Sequence, residues 1–375
     1  MDNFAATGKG LVEPMSGSLR LPAHLLADRR EEAPSPWSGK TVLVTGAAGT
    51  VGQEIMAQLA ILPVSNVLAI DNDERATFFL EHQLQHVPHF GFALADICDL
   101  DSLTGLMEGV DIVIHAAALK HVGLCERAPR AAIQTNIIGT QHVIQAALAA
   151  GVERLLLTSS DKAVNPTNVM GTSKLMAERL VTAANMQSRN GRSILSACRF
   201  GNVLGSSGSV IQVFRQQIAG RRPVTLTDPD MSRFIMTLSQ AVSLVMDSVF
   251  LARGGEVFVT KMAACRIEDL AHVMIDELAP RYGRRPEDVP IEIVGPKPGE
   301  KFYEELINDE EVRRVCELER HYVVVPALRA NRGPINYDYD GLIARKISQP
   351  YNSANVTPMS RPELCEFLRS SGFLD

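Results

Sequence analysis

From about residue 40 to residue 200, short apolar runs alternate with longer amphipathic stretches. The apolar runs are TVLVT (41–45), NVLAI (66–70), GFALA (91–95), DIVIH (111–115), RLLLT (154–158) and SILSACRF (193–200), each with the length and composition of a strand. Helices are predicted around 51–61, 74–87, 100–108, 131–150, 170–188 and 237–252. Strand alternating with helix predicts an α/β fold, a Rossmann-type doubly wound parallel sheet covered on both faces.

After residue 200 the alternation breaks into Gly-rich loops, with helices predicted near 208–219 and 267–277 and isolated strands near 223–226, 256–260 and 290–293. The pattern divides the chain into an extension over 1–39, a nucleotide-binding domain over 40–200, and a region over 201–375 that is mainly a smaller substrate-binding lobe and a tail. The extension ends in EEAPSPWSGK, a mixture of Gly, Pro, Ser and charge without periodicity, which suits a linker.

At 375 residues with 46% apolar side chains, the chain can bury a large core and is not a disordered or fibrous protein. Thirty-seven basic against 43 acidic residues, a net charge of −6, argue against a nucleic-acid backbone binder. Six scattered cysteines without a CxxC point to neither a disulfide framework nor a zinc site, and fit a reducing cytosol. No apolar run approaches the roughly 20 residues of a membrane span, and the N-terminus does not read as a secretory leader, so a cytoplasmic protein is expected. His82, His86 and His89 share helix-face spacing but lack an acidic or cysteine partner, so no metal is expected.

Within TVLVTGAAGTVGQEI, Gly46, Gly49 and Gly52 follow a strand and open a helix. Such glycines let the backbone approach a pyrophosphate, whose charge is met by N–H groups and the positive helix terminus. Asp71 closes the second strand 19 positions after Gly52, and a carboxylate there binds a ribose 2′-OH and repels a 2′-phosphate. The cofactor is therefore NAD in preference to NADP, with Arg75 the one residue that keeps NADP open. Contacts are expected from Gly46, Gly49, Thr50, Val51, Gly52, Asp71, Asp96, Ile97, Ala116, Ala117 and Lys174. Asp96 has two readings, a helix cap or an adenine contact.

LTSSDKAVNPTNVMGTSKLMAERL joins the fifth strand to a helix and carries Ser160, Asp161, Lys162, Met170 and Lys174. An adjacent acid and base suit proton transfer if their surroundings draw their pKa values toward neutrality; otherwise Asp161 caps a turn and Lys162 is solvated. Lys174 lies four residues past Met170, on the same helical face. Arg233 in DMSRFIM is the best diphosphate ligand, because a guanidinium fork matches phosphate oxygens, with a surface salt bridge as its competing role. Lys120 follows the fourth strand's carboxyl end, where open α/β sheets bind ligands, and is expected to touch substrate.

Together with TGAAGTVG (45–52), HAAALKHV (115–122), TNIIGT (135–140), RFGNVLGSSGSVI (199–211), DPDMSRFIM (228–236) and GPKPGEKFYEEL (295–306), this segment closely resembles the extended short-chain dehydrogenase/reductases. Within them it resembles the CapD-like polysaccharide-biosynthesis branch of nucleotide-sugar 4,6-dehydratases, over roughly residues 40–310. YNSAN at 351–355 is similar to the ends of some members. The resemblance implies NAD-dependent dehydration of a UDP-sugar, UDP-N-acetylglucosamine above all, to a 4-keto-6-deoxy product by C4 oxidation, water elimination across C5 and C6, and hydride return to C6.

It further implies Asp161 as acid and Lys162 as base, Lys174 on the nicotinamide ribose, Asn202 on the substrate, and Glu300 with Lys301 in a loop near the nucleotide. The wider superfamily has a Tyr where this chain has Met170, and the branch includes members with this Met. A thioether accepts no proton, so Met170 is expected to pack beside the sugar and the C4 hydroxyl proton to leave through Ser160, Asp161 or a bound water. Competing readings are a UDP-sugar C4 epimerase, another UDP-sugar dehydratase, and a non-catalytic NAD-binding sensor. A homo-oligomer is the expected assembly.

Overall fold

The six expected strands form and lie side by side in a computed structural model that describes residues 35–187, 193–205, 209–296, 299–328 and 335–375. They are β1 (Thr41–Thr45), β2 (Asn66–Asp71), β3 (Phe90–Leu94), β4 (Ile112–His115), β5 (Arg154–Ser160) and β6 (Ile194–Phe200). All pair in parallel in the order β3-β2-β1-β4-β5-β6. The order reverses between β1 and β4, and at such a reversal the carboxyl ends of the strands open a ligand crevice. Most of the predicted extension, residues 1–34, lies outside the described residues.

Helices connect the strands: α1 (Thr50–Leu59), α2 (Glu74–Leu84), α3 (Leu100–Leu106), α4 (Val122–Arg127), α5 (Pro129–Ala132), α6 (Thr140–Ala150) and α7 (Val169–Gln187). The helix predicted over 131–150 is interrupted by a π-helical stretch, Ile133–Gly139. Its cause is visible at Asn136, whose buried amide bonds to both the N–H and the C=O of Leu119 and is drawn out of helical register. Along α7 the buried positions Lys174, Ala177 and Val181 form one stripe at helical spacing, and Ala177 and Val181 join the core around the sheet.

The chain does not leave this sheet for good at residue 200. After β7 (Asn202–Val203), α8 (Val210–Ala219), β8 (Val224–Leu226), β9 (Ser232–Met236) and α9 (Leu238–Leu251), β10 (Val257–Thr260) pairs with β6 in parallel. Further on come β11 (Ala263–Arg266), α10 (Ile267–Leu278), β12 (Ile291–Ile293), β13 (Glu305–Ile307), β14 (Val315–Glu317), β15 (His321–Val324), β16 (Tyr351–Asn352) and α11 (Arg361–Ser370). β15 and β14 extend the sheet antiparallel to nine strands, and α9 packs on α1 and β5. Strands β9, β11 and β13 to β16 escape prediction because they are two to five residues long, and all but β14 pair with partners distant in the sequence.

Two large apolar cores form among the described residues. The larger surrounds the sheet, where Val42, Leu43, Val44, Ile112, Val113 and Ile114 are fully buried. The smaller joins Leu204, Phe214, Ile218 and Leu226 to Leu270, Met274, Leu364 and Leu368 of α10 and α11. Beside the larger core sits a buried ionic cluster. Arg199 on β6 is bidentate to Glu178 of α7 (2.9 and 2.7 Å) and to Glu311 (2.8 and 2.8 Å), and donates to the Leu306 carbonyl at 2.9 Å. This cluster ties the segment around β13 to the helix that carries Lys174. Among the described residues no helix is long and apolar enough to cross a membrane.

Candidate active site

At the switch point, Gly46 adopts φ 67° and approaches Ala117 so closely that a Cβ on it would lie 2.6 Å from the Ala117 nitrogen. Gly52 is as constrained, since its Cβ would fall 2.1 Å from the Gly46 carbonyl oxygen. The turn therefore admits no side chain where backbone meets backbone. It borders a crevice of about 320 Å³ lined by Gly46, Gly49, Asp71, Ile97, Ala116 and Ala117. Gly49 precedes α1 without a side-chain cap, leaving first-turn N–H groups for an anion. Thr50 and Val51 occupy that first turn.

Asp71 receives the Ala48 N–H at 3.0 Å and the Asp73 N–H at 3.1 Å, which fixes its carboxylate at the crevice edge. These residues fit a dinucleotide. Arg75 is exposed and lies over the Phe79 ring, 5.8 Å from its centre, outside the crevice lining. Asp96 is no helix cap, because Asp99 caps α3, and it is absent from the crevice lining. The Cys98 N–H bonds to Asp96 at 2.8 Å and lowers its pKa.

Beside this crevice, β5 ends in Ser160 and a single 3₁₀ turn, Asp161–Ala163. Ser160 Oγ, not Asp161, caps that turn by accepting the Lys162 N–H at 3.1 Å. Asp161 is 2% exposed, and Lys162 Nζ lies 3.0 and 3.2 Å from its oxygens, 3.3 Å from Glu304 and 3.5 Å from Asn202. Burial raises the Asp161 pKa, but the Lys162 charge and hydrogen bonds to Glu304 and Lys162 outweigh it and hold the pKa below the usual range. Burial likewise opposes charge on Lys162, and the two carboxyls outweigh it, so the ammonium form is favoured.

Asp161, Lys162, Lys120, Asn202, Arg233 and Glu300 all line one cavity of about 880 Å³ between the two cores. The four expected substrate contacts, from four separate segments, thus come together with the expected acid and base. Arg233 is not a surface salt bridge. It donates to the carbonyls of Ser232 (2.8 Å), Phe302 (3.1 Å) and Lys301 (2.9 Å), and so holds the 300–304 loop over the cavity. Lys301 Nζ bonds to the Val164 carbonyl at 2.7 Å from the other side.

Two expected residues stand apart. Met170 is 3% exposed and packs with Cys125 of α4 and Ala132 of α5; it is not among the residues lining the cavity. The expectation that it flanks the sugar is corrected to a packing role beneath α4 and α5, because the first turn of α7 is directed at those helices. Lys174 is buried, donates to the Thr158 carbonyl at 3.1 Å, and is pushed down to about 8 by burial.

Three residues with no role in the sequence reading support the site. Asn136 donates to Ser173 Oγ at 2.8 Å, connecting the loop after β4 to α7; its block TNIIGT assigns it no function by itself. His115 is fully buried between Thr45 and Thr140 (2.7 and 3.0 Å), and burial pushes it down to about 3, so it is neutral. Glu304 lines the large cavity at 6% exposure. Only its place in EKFYEEL, beside the more solvated Glu305, hinted at it. Among the described residues no group of three or more His, Cys, Asp or Glu side chains is arranged to hold a metal.

Residues 42–326 match the family described as polysaccharide biosynthesis protein. An uncharacterized membrane protein of Methanocaldococcus jannaschii is 45% identical over 90% of this chain and 98% of its own. The probable polysaccharide biosynthesis protein EpsC of Bacillus subtilis is 43% identical over 73% of this chain, which spans about half of that relative (46%). A UDP-glucose 4-epimerase of Rickettsia felis is 33% identical over 88% of this chain and 95% of its own. The X-ray structure of Pen from Bacillus thuringiensis superposes with a TM-score of 0.83 at 37% identity, covering 90% of this chain and 99% of that one.

Proposed function

The chain belongs to the polysaccharide biosynthesis protein family, the CapD-like branch of the extended short-chain dehydrogenase/reductases, and on that premise we propose that it is an NAD-dependent UDP-sugar 4,6-dehydratase. UDP-N-acetylglucosamine is the proposed substrate. The observation that carries the reading is the Asp161–Lys162 pair, held at 3.0 Å in the wall of the substrate cavity, in a chain whose position 170 offers no phenol.

Gly46, Gly49, Thr50, Val51 and Gly52 would hold the pyrophosphate, Asp71 the adenosine ribose, Ile97, Ala116 and Ala117 the crevice wall, and Lys174 the nicotinamide ribose. When bound, NAD supplies the hydride acceptor that makes C4 a ketone and later the hydride that C6 receives. The ketone is what makes the C5 hydrogen removable, since the resulting carbanion is delocalised as an enolate. Lys162 then takes the C5 proton and Asp161 protonates the C6 hydroxyl, which leaves as water. Lys162 acts as a base in its neutral form, once its ammonium proton has passed to solvent through the cavity that it lines. The C4 hydroxyl proton leaves through Ser160, Asp161 or a bound water. Asn202 and Lys120 orient the sugar nucleotide, and Arg233 with Glu300 shapes the loop over its diphosphate.

A UDP-sugar C4 epimerase is the second reading, favoured by the Rickettsia relative. Epimerisation needs no acid–base pair at C5 and C6, so Asp161 and Lys162 weigh against it. Purified protein incubated with UDP-N-acetylglucosamine and followed by mass spectrometry tests the choice: loss of one water is expected, and an isomer of unchanged mass would support epimerisation.

A further inference from the structure

We propose that Glu304 is a proton-handling partner of Asp161, the two carboxyls sharing one proton so that the site's acid is loaded at neutral pH. The proposal deepens the dehydratase reading and rests on it for the step it serves. Asp161 and Glu304 come from segments 143 positions apart, both buried, both within reach of the same ammonium. Their carboxyls meet on that ammonium, 3.0 and 3.3 Å from Lys162 Nζ, so a proton on one is felt by the other.

Glu304 is seated with care. Its N–H donates to Ser353 Oγ at 3.0 Å, and its carbonyl receives the Ser353 N–H at 2.8 Å. Ser353 Oγ is in turn bonded to the Ser232 carbonyl (3.1 Å) and hydroxyl (2.9 Å). This gives YNSAN a function: its serine fixes the Glu304 backbone. One carboxyl oxygen receives Asn202 Nδ2 at 3.1 Å, and the other faces Lys162 at 3.3 Å and Arg233 Nε at 3.5 Å. The titratable groups around it are Asp161 and Lys162 on the 3₁₀ turn, Arg233 on β9 and the buried Cys265 on β11.

Two neighbouring buried carboxylates repel, so the first proton binds the pair more tightly than it would bind Asp161 alone. Burial, then the Asp161 charge, push Glu304 up to about 7, while Lys162 and Arg233 pull the other way. An acid titrating there is matched to neutral pH, whereas Asp161 beside Lys162 alone would be ionised. In the elimination the C5–H bond breaks and its proton goes to the base, while its electron pair forms the C5–C6 double bond. The C6–O bond breaks, and the hydroxyl leaves as water with a proton from Asp161, which takes the one on Glu304. The proton released from the C4 hydroxyl restores the pair.

Glu304→Gln keeps the size and can still bond to Asn202 but has no proton to yield. At about pH 7.5 its dehydration rate is expected to fall about tenfold or more, recovering toward acid as Asp161 itself protonates, with NAD affinity and melting temperature unchanged. Carbon-13 titration of protein labelled at glutamate Cδ reads the pair without substrate: one glutamate titrating near pH 7 is expected, absent in Glu304→Gln and shifted down in Asp161→Asn. A Glu304→Gln rate profile parallel to the parent's at every pH, or no such resonance, overturns the proposal. Wild-type protein that shows the resonance yet removes no water from a UDP-sugar overturns the dehydratase reading and leaves the proton-sharing pair standing.

Discussion

The cofactor crevice and the substrate cavity are adjacent but are built differently. Much of the crevice comes from one stretch, residues 41–71, in which strand, turn, helix and strand follow each other without a break. The cavity is assembled from the ends of β4, β5, β6 and β9 and from the 299–304 loop, with Ser353 behind it. The crevice depends on glycines that must not be filled. The cavity depends on charges that must be balanced, and balance can be lost from any of several distant segments.

The largest effect is expected where that balance is most buried. Arg199→Ala leaves Glu178 and Glu311 unpaired in the interior and should cost about 3–5 kcal/mol of stability, read by denaturant unfolding. A change within surface-mutation scatter would show that the cluster does not hold the β13 segment. Asp161→Asn and Lys162→Ala come next: each should slow dehydration by about 10² or more while NAD binding persists. Near-normal turnover in both would remove them from the mechanism.

On the crevice side effects should be smaller, because single hydrogen bonds are at stake rather than protons. Asp71→Ala should weaken NAD about tenfold and narrow its advantage over NADP, measured by titrating both cofactors. A clear NADP preference in the parent protein would reject the assignment. The smallest effect is expected at Met170, since Met170→Leu nearly conserves volume in its pocket with Cys125 and Ala132, and should cost under about 1.5 kcal/mol with activity retained. An inactive Met170→Leu beside a normal Ser160→Ala would overturn that division of roles.

The same contrast explains what the sequence made legible. β1 through β6 could be read directly because their strands are short continuous apolar runs, buried throughout at the centre of the sheet and less so at the β3 edge, and the Gly46–Gly52 turn because its geometry excludes side chains. Asp161 and Lys162 stood out as an adjacent pair at a strand end. Glu304 did not, because its meaning lies in a contact with a residue 143 positions away. Met170 was legible as a non-base, but its burial under α4 depended on a helix the pattern did not announce. Asn136 was hidden inside what read as an uninterrupted helix.

The central claim is internal dehydration, with the hydride that leaves C4 returning to C6 on the same sugar. Incubation of the purified protein with NAD and UDP-N-acetylglucosamine carrying deuterium at C4 tests it most directly. A product lighter by one water with deuterium in its C6 methyl group is predicted; product without deuterium there, or turnover that needs reduced cofactor each time, would contradict it.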